Sequence, residues 1–194
     1  MRILIWAVFL LLSQLALADS TAPDFPLETM TLQDQTLMVP EALPAFPVVL
    51  VIGFSKPSMA QTKPWLAALE KEEGINPEQV YRVAVLESVP ALVRGFVVSR
   101  MRSRIAEDQQ HRFLVVKRGT AAWQSWVGYT ERDDAYLLVL GGDHGVIQRV
   151  QGPVDENKLA ALKAMLSVTR AVQQVPADSS TSLPERELES PGLQ

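Results

Sequence analysis

The sequence predicts an α/β domain built on one mixed central sheet with helices on both faces and a β-hairpin at its N-terminal edge. Three observations carry that expectation. The run VVLVIGF, Val48 to Phe54, is apolar at successive positions, the pattern of a central strand covered on both sides. A helical stretch and then a second β-forming run, VYRVAVLE from Val80 to Glu87, follow it, which makes a strand-helix-strand unit. Near the end, YLLVL (Tyr136 to Leu140) turns through GGDHG into VIQRVQG, a hairpin that leads into an amphipathic segment.

The chain opens with MRILIWAVFLLLSQLALA, one positive charge at Arg2, an apolar run from Ile3 to Leu12 and small residues at Ala16 and Ala18. This is the layout of a secretory signal peptide cleaved after Ala18, and it predicts export, with the periplasm as destination. The alternative is a retained anchor, for which the run is short of the roughly 20 residues that span a bilayer. Residues 19–46 are polar and proline-rich, yet LETMTLQDQTLMVP alternates around Asp34 and Gln35 and predicts a small hairpin.

The domain proper is expected over 47–171. After the first buried strand, Ser58 is expected to cap a helix running to about Glu73, with Trp65, Leu66 and Leu69 on one face, Pro64 kinking it and Gly74 ending it. Pro90 opens a second helix, in which Leu92, Val93, Phe96, Val97, Met101 and Ile105 recur at helical spacing. HRFLVVK, His111 to Lys117, reads as a third buried strand ahead of the hairpin. Gly152 and Pro153 break the chain, Asp155 can cap, and Leu159, Leu162, Met165, Leu166 and Val168 mark a closing helix. Residues 172–194 are acidic and poor in large apolar groups, the composition of a disordered tail.

Composition excludes several function classes. The 194 residues include no cysteine, so thiol redox chemistry, disulfides and cysteine metal sites are unavailable. The formal net charge is −4, one unit more negative once Arg2 leaves with the leader, which disfavours bulk nucleic-acid binding. No Gly-rich dinucleotide motif is present, and no small-molecule substrate or cofactor is indicated.

GFSKPSMAQTKPW, Gly53 to Trp65, together with the order of elements, resembles the thioredoxin superfamily. There a pair of cysteines opens the helix after a central strand, and a helix-kinking proline follows the second cysteine by five residues. Pro64 lies five residues after Met59, so Lys56, Pro57, Ser58 and Met59 look like the degenerate counterpart of that CxxC motif. The superfamily's cis proline would fall near Asp134 to Tyr136, and no proline occurs between Pro90 and Pro153. More narrowly, this stretch, ALVRGFVVSRMRSRIAEDQQHRFLVVK and YLLVLGGDHGVIQRVQGPVDENKLAALKAM are similar to the thioredoxin-like assembly factors of the mitochondrial ATP synthase (the ATPase complex subunit ten family) and their exported bacterial relatives. The resemblance implies a protein that assists assembly or quality control of a membrane complex without a defined active site.

Four groups of side chains are candidate sites. Lys56 and Ser58 stand at a helix N-terminus, where a serine nucleophile with a lysine base can be imagined. With no oxyanion site or third partner evident, a capping serine beside a solvated lysine is favoured, and no catalytic residue is assigned. Arg94, Arg100, Arg102 and Arg104 form a basic helix face, either a docking surface for an acidic partner or phospholipid headgroups, or a solvated face paired with Glu107 and Asp108. Trp123 and Trp126, at i, i+3 spacing, and Tyr136 are either partner anchors or core residues. His111 and His144 lack the convergent ligands of a metal site.

The expectation is therefore an exported, non-catalytic protein that binds another protein, one associated with a membrane or envelope complex. The alternative is a redox-related enzyme of thioredoxin or peroxiredoxin descent that works through a non-thiol cofactor.

Overall fold

A computed structural model describes residues 26–44 and 47–173. The leader assigned to 1–18, the extension before residue 26 and the tail beyond residue 173 lie outside the described residues. The elements are β1 (Leu27–Thr31), β2 (Thr36–Val39), β3 (Val48–Gly53), α1 (Lys56–Lys71), β4 (Val80–Val85), α2 (Ala91–Arg102), β5 (Phe113–Val116), α3 (Thr120–Val127), β6 (Ala135–Leu140), β7 (Val146–Gln151) and α4 (Glu156–Gln173).

One seven-stranded sheet has the order β2-β1-β5-β4-β3-β6-β7. β3, β4 and β5 are parallel neighbours, whereas β6 and β7 on one side and β1 and β2 on the other are antiparallel. Both crossovers, β3 to β4 and β4 to β5, step in the same direction, so right-handed connections put α1 and α2 on one face. There Trp65 and Leu69 of α1 pack with Leu162 and Leu166 of α4 over Val49 and Val51, while Val98 of α2 packs over Ala84, Phe113 and Val115. The opposite face holds Leu50, Ile52, Val83 and Tyr136 under Trp123 and Trp126 of α3. With cover on both sides, every residue of β3 is buried, which is why its sequence shows no alternation.

The N-terminal hairpin does more than trim an edge. β1 pairs with β5 through Met30 opposite Val115 and Thr31 opposite Leu114, so the hairpin extends the central sheet. Its turn places Asp34 at φ 62°, and the Thr31 hydroxyl accepts hydrogen bonds from the backbone N–H groups of Gln33 and Gln35.

The structure departs from the sequence reading at several points. α1 begins at Lys56 with Ser55 rather than Ser58 as its cap; it ends at Lys71 with Pro64 inside it, as expected. α3 has no counterpart among the expected elements. It opens and closes on glycines, Gly119 at φ 84° and Gly128 at φ 69°, and is too short to show a full amphipathic repeat. A 3-10 turn over Glu107–Arg112 takes up the start of the expected His111 strand. In α2 the stripe that faces the sheet is Val97, Val98, Met101 and the following Ile105, while Leu92, Val93 and Phe96 point to solvent. Asp155 does cap α4, its carboxylate accepting from the Lys158 N–H at 2.9 Å.

Candidate functional site

The junction of β3 and α1 is held by three polar residues. Ser55 caps the helix by accepting from the Ser58 N–H at 3.1 Å, and its hydroxyl donates to the Asp133 carboxylate at 2.8 Å. Ser58, expected to be the cap, lies one turn inside and is fully buried. Its hydroxyl donates to the Asp134 carbonyl at 2.6 Å and accepts from the Phe54 N–H at 3.1 Å. Gln61 adds a third tie, its side-chain oxygen accepting from the Ala135 N–H at 3.1 Å. The first two turns of α1 are thereby stitched to the approach to β6, with the Ser58 hydroxyl already using both a donor and an acceptor bond.

The other members of the degenerate motif face different ways. Lys56 and Pro57 are exposed, and Met59 is half-buried. Met59 sits directly over Gly53: a Cβ added there would come within 2.5 Å of the Met59 sulfur and 3.1 Å of its Cα, so any larger residue at the end of β3 has to displace the Met59 side chain.

The basic helix face divides in two. Arg94 donates to the carbonyls of Glu87, Val89 and Lys117, tying the loop after β4 to the end of β5. Arg102 donates to the Leu32 carbonyl at 2.5 Å and pairs with Asp34 at 2.6 Å, fastening α2 to the hairpin turn. Arg100 and Arg104 remain exposed. Two of the four guanidinium groups are thus occupied by carbonyls at strand and turn ends, which the linear pattern could not show.

Trp123, Trp126 and Tyr136 are buried at 0%, 3% and 1% exposure, so none of them is available as a surface anchor. The indoles lie 5.4 Å apart within the core, and Tyr136 stacks on Tyr129 at 5.5 Å and meets Phe54 edge-on. The Tyr136 hydroxyl donates to the Glu131 carbonyl and accepts from the N–H groups of Thr130 and Glu131, pinning the loop before β6. His111 pairs with Glu78, and His144, at φ 64°, bonds the Leu43 carbonyl. Among the described residues no cluster of three or more His, Asp or Glu is placed to hold a metal ion.

A cavity of roughly 390 Å³ between α1 and α2 brings together residues that the sequence reading had treated apart. Lys56 and Met59 of the degenerate motif and Arg104 of the basic segment all line it. So does Arg82 of β4, which the sequence reading passed over. Its signal was present, since a lone arginine interrupts the otherwise apolar VYRVAV. Burial pushes the Arg82 guanidinium down from its ordinary value.

No family profile matches the chain, and no curated protein matches it significantly. Solved structures do. Two from Aquifex aeolicus VF5, described as a candidate electron transfer protein and a candidate electron transport protein, align with TM-scores of 0.56 and 0.57. Each covers 78% of this chain and 98% of its own, at 11% and 12% identity. The fold is thioredoxin-like. The pneumococcal exposed lipoprotein thioredoxin of Streptococcus pneumoniae strain TIGR4 aligns with a TM-score of 0.49 at 15% identity, over 73% of this chain and 98% of that one. At such identities the likeness concerns the fold, and what the thioredoxin-like scaffold does here rests on its own residues.

Proposed function

We propose that this chain is an exported, non-catalytic thioredoxin-like protein that binds an acidic surface of another protein and serves assembly or quality control of an envelope or membrane complex. The observation that carries the reading is the outward face of α2, where Leu92 is 100% exposed, Phe96 67% and Val93 46%. A helix whose large apolar groups face water while others cover the sheet is a docking element in search of a partner. Arg100 and Arg104 follow on exposed positions with no ion pair among the described residues, and they suit an acidic rim around an apolar centre. The junction supports the same reading, because the chain has no thiol and the Ser58 hydroxyl is committed to structural bonds.

The test places a photo-crosslinking residue at Phe96 in one variant and at Val168, an exposed apolar position on α4, in another. Illumination in the native host is expected to give one adduct of defined mass from position 96. That adduct should disappear with Leu92→Asp and weaken at high salt. Equal labelling from both positions, or none from position 96, overturns the proposal.

A further inference from the structure

The cavity between α1 and α2 is lined by four cations, Lys56, Lys63, Arg82 and Arg104, and no acidic residue lines it. Three of the four sit at the rim as exposed side chains, and Arg82 lies at depth on β4. Its guanidinium stacks on the Phe113 ring at 5.0 Å, and its Nε is fully buried without a hydrogen-bond partner. Among the described residues Arg82 makes no ion pair. An unpaired, partly desolvated guanidinium costs stability, and the usual remedy in proteins is a carboxylate or another arginine-matching anion.

The remaining walls are apolar: Met59 from α1, Met101 and Ile105 from the α2 segment, and Phe113 beneath. A smaller cavity of roughly 120 Å³ adjoins it, sharing Arg82, Ile105 and Phe113; Leu66, Leu69, Pro77 and Val80 form its apolar side, and Glu70, Gln109 and Arg112 its polar side. The larger space falls within the roughly 300–1,000 Å³ of small-molecule sites. Two methionines give such a wall the pliancy to fit an alkyl chain.

We infer that this cavity binds a small amphiphilic carboxylate, its head on Arg82 and its alkyl chain along the apolar walls, with Lys56, Lys63 and Arg104 attracting the anion at the rim. An extended acidic peptide is a poorer fit, because β4 and β5 are interior strands and the walls are helices. No free strand edge is there to pair with a peptide main chain. This site shares Arg104 with the basic stretch proposed to meet a partner, but it makes no use of the exposed Leu92, Val93 and Phe96.

The test is calorimetric titration of the full chain with decanoate below its micellar range, with decanol, acetate and a poly-glutamate peptide in parallel. Decanoate is expected to bind one to one, at least about tenfold tighter than decanol or acetate, and to raise the melting temperature. Arg82→Met, which keeps a stem to pack on Phe113, should weaken decanoate by about tenfold or more with a native circular-dichroism spectrum. Should that variant fail to fold, Lys63→Glu, at an exposed position, should weaken decanoate and leave decanol unchanged. Equal affinity for decanoate and decanol, equal affinity for acetate, preference for the peptide, or full affinity in a folded Arg82→Met each overturns the assignment.

Discussion

Replacing Ser58 by alanine separates the structural role of the junction from a surface or catalytic one. The substitution removes one oxygen from a fully buried position, so the cavity left is small and the cost is almost entirely polar. Two backbone groups lose their partner, the Asp134 carbonyl at 2.6 Å and the Phe54 N–H at 3.1 Å. With about 1–3 kcal/mol for each buried group left unsatisfied, the loss should total about 2–6 kcal/mol. For a domain of this size that corresponds to a fall in melting temperature of roughly 4–24 °C. Urea unfolding at neutral pH, followed by fluorescence of the buried Trp65, Trp123 and Trp126, reads it directly. Ser55→Ala should cost about 0.5–2 kcal/mol as a lost cap, and Lys56→Ala should stay within about 0.5 kcal/mol. A Ser58→Ala variant as stable as Lys56→Ala would refute the reasoning, since it would mean that the hydroxyl bridges nothing.

Other outcomes follow from the same structure. The double variant Lys56→Cys, Met59→Cys puts thiols at the matching CxxC positions on the first turn of α1; helix geometry sets i, i+3 Cα atoms about 5 Å apart, inside the roughly 4.4–6.8 Å that a disulfide spans, so air oxidation should give an intramolecular bond by mass spectrometry, and persistent free thiols would count against the correspondence. The Lys158 backbone N–H holds the Asp155 carboxyl below its ordinary value, so the cap stabilises α4 above that value and is lost as pH falls through the lowered one. Asp155→Asn, which keeps a capping oxygen but cannot titrate, should flatten the decline of the urea midpoint below about pH 4. Arg102→Ala frees the hairpin turn from α2, and faster amide exchange is expected over residues 27–36 with the β3 amides unchanged.

How far the fold could be read from the chain varied with the distance over which each signal acts. Val48 to Phe54 announced a doubly covered strand because continuous apolarity is a local consequence of burial on two faces. The hairpin through GGDHG and the Asp155 cap are likewise local turn and cap chemistry. The eight-residue α3 was hidden because so short a helix carries hardly two turns of periodicity, leaving only the Trp123 and Trp126 spacing as a trace. In α2 the apolar positions cover more than one stripe, so periodicity alone could not decide which stripe meets the sheet.

The candidate site was legible in its parts and not in its assembly. Zero cysteines and Pro64 five residues after Met59 marked a redox junction without its sulfurs, and composition alone excludes thiol chemistry. That Ser55 rather than Ser58 caps α1 turns on a single helical position, and the bonds of Ser58 reach 76 residues along the chain. Arg94 and Arg100 look alike in sequence, yet one is spent on three carbonyls and the other faces solvent. The gathering of Lys56, Met59, Arg82 and Arg104 around one cavity depends on the parallel step from β3 to β4 and on α1 and α2 sharing a face. The sequence by itself determined the two-faced sheet and the absence of thiol chemistry, because both follow from local composition. Tertiary structure decided which charges are spent and which stay free, because that depends on backbone carbonyls brought close only when distant segments pack.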